Sequence, residues 1–285
     1  LSIALIAFDG LPVTFREIFM NQQIKFGDLI KIGQHMLLCG DASERAMLAP
    51  LFGNRQPVLM VTDPPYGVNF KVRDRKEAST VLAQGSTLED LRIRNDHRAS
   101  WSRAFSLSSA RIAYVWHAAT ATDVAIQSVR DGDYEPRQLI VWAKNRATLS
   151  RSAYHWAHES CIYAVRFGET SNWKGDRKQR TVWQAEVPPS KDRIHPTQKP
   201  IELYTRPILN HTDAGDVVYD PFAGSGVIFA AAQETGRVAL GVEIEPHFCG
   251  KIIDRLEQKF RLKAKVLGNV FAIGEGNVLK PSGAG

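Results

Sequence analysis

Two short stretches of this 285-residue chain carry residue types that can do chemistry. The first is Asp63-Pro64-Pro65-Tyr66, directly after the apolar run Val58 to Thr62. Two prolines stiffen the backbone and remove N–H donors, leaving the Asp63 carboxylate and the Pro64 carbonyl as acceptors beside an aromatic ring. Such a loop suits an exocyclic amine: it accepts both hydrogens while Tyr66 stacks on the ring that carries them. Alone, the tetrapeptide would serve equally as a Pro-Pro turn with a capping Asp. The second stretch, Asp220-Pro221-Phe222-Ala223-Gly224-Ser225-Gly226, lies between apolar Val217 to Tyr219 and an Ala-rich segment. Gly224 and Gly226 allow close backbone approach to a ligand at a helix start, where N–H groups point at a carboxylate or phosphate. Turns of this kind serve dinucleotides and S-adenosylmethionine alike, and sometimes only tight helix packing. The next apolar run, Val238 to Val242, ends in Glu243, an acid placed to accept two ribose hydroxyls, which favours a ribose-bearing ligand.

The elements that must hold these loops follow from periodicity. Residues 24–40 alternate and carry Gly27-Asp28, a strand, turn, strand pattern ending at Gly40-Asp41. Strand-like runs recur at Val58 to Thr62, Arg111 to Trp116, Gln138 to Trp142, Cys161 to Val165, Val217 to Tyr219 and Val238 to Val242, with helix-compatible segments between them. A helix is expected from the glycine-rich turn to about Glu234, and a basic amphipathic one from Pro246 to about Leu262. This alternation predicts an α/β fold with a doubly wound, mostly parallel sheet. Two segments break the pattern. Residues 71–98 read as a polar surface excursion, and residues 171–193 lose periodicity while gaining charge. In the latter, Lys174, Arg177, Lys178, Arg180, Lys191 and Arg193 face only Asp176, Glu186 and Asp192, with Trp173 and Trp183 interleaved.

Composition narrows the classes. With 44% hydrophobic and 23% charged residues the chain is neither disordered, collagenous nor a disulfide scaffold. Cys39, Cys161 and Cys249 are odd in number and never form a CxxC pair, so a reducing, cytoplasmic setting is expected. His117, His155 and His158 do not have metal-ligand spacing, and no metal is expected. No apolar run approaches membrane-spanning length. The net charge of +6 favours an anionic partner weakly.

In combination the motifs resemble the DNA amino-methyltransferases that modify adenine or cytosine. Asp63-Pro64-Pro65-Tyr66 precedes DPFAGSG at 220–226 and GVEIE at 241–245, and this order resembles the circularly permuted β group. His195-Pro196-Thr197-Gln198-Lys199-Pro200 is similar to a segment that the family places before its cofactor loop. Gly40-Asp41 and His158-Glu159 are supporting matches. Val227 departs from the usual Thr after GSG, which removes a hydroxyl from the helix start. The segment IKFGDLIKIGQHMLLCGD also resembles the junction at which some phage and bacterial members join an upstream ParB-like domain. That would account for a start at Leu1 rather than Met, the chain being part of a longer protein.

The resemblance implies a permuted, Rossmann-like S-adenosylmethionine-dependent fold over residues 24–262, with an extension or linker at 1–23, a target-recognition insert at about 168–194 and a tail at 263–285. It implies direct methyl transfer to the exocyclic nitrogen of a flipped base in double-stranded DNA, through Asp63, Pro64, Pro65 and Tyr66. Asp rather than Ser at the first position tilts the target toward N6 of adenine over N4 of cytosine. S-adenosylmethionine is then expected along Asp220, Pro221, Phe222, Ala223, Gly224, Ser225 and Gly226. Glu243 would take the ribose, Ile244 the adenine ring, Asp41 with Ala42 the adenine amine, and Thr197 and Lys199 the carboxylate; Asp63 borders the same site. Trp173, Lys174, Arg177, Lys178, Arg180, Lys191 and Arg193 are the expected DNA contacts, and a homodimer is in keeping with the family. Competing readings are an RNA or protein N-methyltransferase, a nucleotide-dependent dehydrogenase that would leave the tetrapeptide idle, and a non-catalytic DNA-binding remnant.

Overall fold

The computed structural model describes residues 24–66, 100–148, 153–187 and 198–273. A hairpin of β1 (Asp28–Ile32) and β2 (His35–Cys39) opens the fold. Its turn falls at Gly33, with φ +58°, and not at Gly27-Asp28 as the sequence suggested. Gly27 instead donates its N–H to the Cys39 carbonyl at 2.7 Å and leads into β1. Then follow α1 (Arg45–Phe52), β3 (Leu59–Thr62), α2 (Ser102–Ser106), β4 (Ile112–His117) and α3 (Thr122–Asp131). The middle of the chain forms β5 (Tyr134–Thr148), β6 (Trp156–Arg166) and β7 (Val182–Ala185). The last third is α4 (Glu202–His211), β8 (Val217–Asp220), α5 (Val227–Thr235), β9 (Val238–Glu243), α6 (Pro246–Phe260), β10 (Ala264–Asn269) and α7 (Val270–Ile273).

All ten strands join one sheet in the order β10-β1-β2-β9-β8-β3-β4-β6-β5-β7. The central five, β2-β9-β8-β3-β4, are parallel to their neighbours. On either side β1, β10, β6 and β5 pair antiparallel, and β7 lies parallel on β5. Alternation sorts each central strand onto two cores: Leu59 and Val61 of β3 join one, Met60 the other. The first core is covered by α4, α5 and α6 through Leu203, Ile208, Ile228, Phe229, Ile252 and Leu256. The second is covered by α1, α2 and α3 through Leu48, Leu51, Phe105 and Val129. Burial on both faces is why these strands read as unbroken apolar runs, each fully buried Leu, Ile or Val contributing roughly 1.5–3 kcal/mol. The expected mostly parallel, doubly wound sheet is the fold observed.

Three elements exceed the sequence reading. β5 and β6 are longer than expected, because their outer ends are exposed and lose the apolar alternation. β7 lies inside the charged segment, where only Trp183 of its four residues is buried. β10 lies in the stretch read as a tail, and it pairs with β1 along its whole length. The three cysteines are buried and free. Among the described residues no helix is long and apolar enough to cross a membrane.

From β8 the chain winds outward to β9, and from β3 it winds the other way to β4. The crevice between the C-terminal ends of β8 and β3 is therefore the topological switch point, where open α/β sheets bind their ligands.

Candidate active site

Both motif loops emerge into that crevice, one from each side. The buried Thr62 at the end of β3 donates its hydroxyl to Asp220 Oδ1 at the end of β8, 2.7 Å away. Trp101 provides a second tie: its indole N–H donates to the Pro65 carbonyl at 2.9 Å, and its ring meets Phe222 edge-on at 4.8 Å. The Asp63 loop is also closed on itself, since Tyr66 Oη donates to Asp63 Oδ1 at 2.6 Å. Among the described residues no donor occupies the Pro64 carbonyl.

Asp63 Oδ2 accepts from Lys199 Nζ at 2.6 Å. The same ammonium lies 3.0 Å from Tyr66 Oη and 2.9 Å from Glu159 Oε2, while Glu159 Oε1 pairs with Lys144 at 2.6 Å. Side chains from a loop, two strands and the lead-in to α4 thus form a row of alternating charge. Burial pushes the Asp63 carboxyl above its usual range, against the pull of Lys199. Burial opposes ionisation of Glu159 too, but Lys199 and Lys144 together lower it to about 2. Lys199 is raised because Asp63 and Glu159 outweigh its own desolvation. An ammonium has three hydrogens, and Asp63, Tyr66 and Glu159 account for all of them, so none is left here for a methionine carboxylate.

The glycine-rich loop is held by Glu243, whose Oε2 accepts from Gly224 N–H at 2.8 Å and whose Oε1 accepts from Glu245 N–H at 2.9 Å. The two glycines differ in purpose. At Gly226, φ +72°, a Cβ would strike Ile252 at 2.8 Å, so this glycine admits α6. At Gly224, φ +50°, the nearest atom to such a Cβ is 3.9 Å away, so this glycine meets the turn's conformation and leaves the space above it open. Val227, the departure from Thr, sits in the core at the first position of α5, where its methyls are buried. Burial pushes both Asp220 and Glu243 up to about 7. Among the described residues, Asp220 Oδ2, Trp116 Nε1 and His117 Nε2 are buried at this edge without partners, an arrangement that leaves polar atoms for a ligand. His117 Nδ1 is bonded to the Ala118 carbonyl at 3.0 Å, which requires a proton there, and burial lowers the pKa of the ring. Its Nε2 is then a bare acceptor, in a small apolar pocket shared with Pro64, Pro65, Tyr66 and Trp116.

Asp41 and Ala42 adjoin this edge, because Gly40 N–H donates to the Glu243 carbonyl at 2.9 Å. Asp41 Oδ1 accepts from Ser43 N–H and hydroxyl at 2.8 and 2.7 Å, closing the turn before α1, and Ala42 is buried. Ile244 is half-buried beside Glu243. Thr197, Lys191 and Arg193 lie outside the described residues, as does the 71–98 excursion. Of the remaining expected DNA contacts, Trp173 and Lys174 lie at the far end of α4, whose ten residues span about 15 Å: Trp173 meets His211 edge-on, and Lys174 N–H donates to the Asn210 carbonyl. The segment then runs back toward β7, where the Thr181 carbonyl accepts from Val141 N–H, level with Ser160 and His117. Along this path Trp173, Arg177 and Arg180, with Tyr114, Tyr163 and Trp183, line an open cleft of about 680 Å³. Lys174 pairs with Asp213, whereas Arg177 and Arg180 have no carboxylate partner among the described residues. Trp183 is core rather than surface, 3% exposed, and packs on Trp116. Sequence reasoning missed Thr62, Lys144, Trp116 and the Glu159 contact to Lys199. For Lys144 and Glu159 the available signal was an ionisable residue flanking an apolar run.

Residues 58–254 match the profile of a family described as DNA methylase. The chain is 26% identical over 159 residues to the type II methyltransferase M2.MboI of Moraxella bovis, covering 51% of this chain and 57% of that one. It is 40% identical over 88 residues to the DNA adenine methyltransferase YhdJ of Escherichia coli K12, covering 31% and 30%. The chain thus spans less than two thirds of these relatives. In fold it is similar to the M1.HpyAVI–SAM complex, with TM-score 0.56, 21% identity, and 77% of this chain and 98% of that one covered. It is likewise similar to the PvuII DNA methyltransferase, described as cytosine-N4-specific, with TM-score 0.55, 13% identity and coverage of 80% and 89%.

Proposed function

Because the chain belongs to the DNA methylase family, we propose that it transfers a methyl group from S-adenosylmethionine to the exocyclic amine of a DNA base, N6 of adenine ahead of N4 of cytosine. The observation that carries this reading is the Thr62–Asp220 hydrogen bond, which sets the amine-accepting loop and the glycine-rich loop on the two sides of one crevice.

The residues fit the cofactor: the space above Gly224 is open, and Asp220 Oδ2 is buried without a partner among the described residues. Phe222, Gly224, Ser225 and Gly226 would border its methionine part, Glu243 its ribose, and Ile244 and Asp41 its adenine. When bound it supplies an electrophilic methyl group on a sulfonium. The chain's own work is on the amine. An aromatic amine is a poor nucleophile while its lone pair is delocalised into the ring. Asp63 and the Pro64 carbonyl accept its two hydrogens and favour the pyramidal nitrogen, an interaction stronger in the transition state than in the ground state. As the nitrogen gains a methyl group it must release one hydrogen as a proton, and Asp63 is the acceptor in contact with it. Tyr66 recovers by stacking part of the few kcal/mol that base flipping costs.

Arg177 and Arg180, with Trp173, Lys174 and Lys178, are proposed to meet DNA away from the flipped base. Trp173 and Lys174, about 15 Å from the catalytic edge by the length of α4, would lie roughly four base pairs along the duplex at about 3.4 Å per step. Lys191 and Arg193 belong to the same proposal. The order of the loops supports a place in the permuted β group. A homodimer, a longer protein with an upstream ParB-like domain, and a cytoplasmic modification enzyme go with that reading. The test is incubation with labelled S-adenosylmethionine and, in parallel, duplex DNA, RNA and protein. Label in DNA is expected; label only in RNA or protein would overturn the proposal.

A further inference from the structure

Lys199 came to attention as a candidate for the cofactor carboxylate, yet its ammonium faces the other way chemically, onto the acceptor loop. It is 4% exposed and touches Asp63, Tyr66 and Glu159 within 3.0 Å. Asp63 keeps acceptor capacity in this arrangement. A carboxylate offers about four lone-pair sites, and Tyr66 and Lys199 take one on each oxygen. The remaining sites are fixed in direction, because both oxygens are pinned. A second acid, Glu159, competes for the same ammonium and is itself neutralised from behind by Lys144. Without Lys199, two buried carboxylates would face each other, and an acid in that position protonates. A protonated Asp63 has lost acceptor capacity on one oxygen.

We propose that Lys199 is a positioning residue for Asp63, orienting its carboxylate by direct hydrogen bonding and holding it ionised by charge, with Glu159, anchored on Lys144, as the opposing term. The inference rests on the reading of Asp63 as the group that accepts the amine hydrogens. Asp63 is faced by Tyr66 on its own loop, Lys199 and Tyr204 from the lead-in to α4 and from α4, Glu159 and Cys161 from β6, and Asp220 from β8. His117 on β4 faces Lys199. These groups other than Lys199 and Glu159 are common to every variant below, so a difference between variants reports on that pair alone.

The signature is a pair of shifts of opposite sign. Lys199→Met removes the attraction and should move the Asp63 titration upward by at least about one pH unit, about tenfold in ionised fraction. Glu159→Gln removes the repulsion, keeps the shape and should move it downward. The direct measurement is a carboxyl ¹³C NMR titration of the whole chain without cofactor, with the Asp63 signal assigned by its loss in Asp63→Asn. The kinetic counterpart is the acid limb of kcat against pH for DNA methylation, expected to follow the same two directions while the cofactor Kd stays constant. A purely structural role would lower activity without moving either midpoint. If Lys199→Met is too unstable to titrate, Glu159→Gln alone decides by the sign of its shift. An unmoved midpoint, or shifts in the same direction, would overturn the inference even if the wild-type chain methylates DNA. Opposite shifts in the NMR titration of a chain that fails to methylate DNA would uphold the coupling and sink the functional reading instead.

Discussion

Lys199 and Lys174 each meet a carboxylate at nearly the same distance, 2.6 Å from Asp63 and 2.5 Å from Asp213. Their surroundings differ. The Lys199 and Asp63 side chains are 3% and 21% exposed, those of Lys174 and Asp213 32% and 72%. The first pair belongs to a row of charges fixed by strand ends at the switch crevice. The second staples a charged segment to the foot of α4 and leaves Arg177 and Arg180, which have no carboxylate partner among the described residues, beside an open cleft. Equal geometry therefore carries unequal consequences. In the buried row each charge bears on the ionisation and direction of the next, as the proposed methyl transfer requires. In the cleft, charges stay solvated and available to an anion such as a phosphate backbone.

The largest effect should come from breaking the buried region at its centre. Asp63→Ala is expected to lower kcat for DNA methylation at least about a hundredfold, with cofactor affinity by calorimetry unchanged; a near wild-type rate would show that the amine is activated elsewhere. Next, Lys199→Met and Lys174→Met compare the two ion pairs directly by chemical denaturation. Breaking the buried pair should cost about 3 kcal/mol or more, whereas breaking the exposed one should cost at most about 1 kcal/mol. Equal costs would remove the distinction. Third, Arg177→Ala with Arg180→Ala should weaken duplex binding severalfold and reduce the salt dependence of binding by about two phosphate contacts, leaving kcat at saturating DNA unchanged. An unaltered salt slope would free the cleft from any DNA role.

The last prediction is one of pH on stability. Burial holds the folded Asp220 carboxyl at about 7, against 3.8 for an aspartate in water. Between those values the folded chain keeps a proton that the unfolded chain has lost, so stability falls as pH rises through that window. Asp220→Asn retains an oxygen to accept from Thr62 and Phe222 but cannot ionise. Its melting temperature should approach that of the wild type near pH 4 and exceed it at pH 8. Parallel curves would contradict the buried, protonated Asp220.

The central strands and both loops were legible because their physics is local. Leu59 to Val61 and Ala239 to Val242 are buried and carry no polar side chain, and Gly224 and Gly226 mark backbone with positive φ. The edges were not legible. β10 buries none of its six residues and β7 buries one of four, so neither carries an apolar signal, and each is specified by the partner strand beside it. The charge row escaped for the same reason, since Asp63, Lys144, Glu159 and Lys199 come from distant parts of the sequence and only the sheet order brings them together. The path of the basic segment was not legible either: β6 runs antiparallel to β4 and delivers its start to the opposite edge, and β7 then brings it back alongside β5.

The central claim is that the Asp63 loop directs a methyl group onto the exocyclic nitrogen of a DNA base. Its most direct test is nucleoside analysis by mass spectrometry of duplex DNA after incubation with the chain and S-adenosylmethionine. The account predicts N6-methyldeoxyadenosine, formed by the wild-type chain and missing with Asp63→Ala. Methylation of cytosine at carbon 5, or no methylated nucleoside at all, would contradict it.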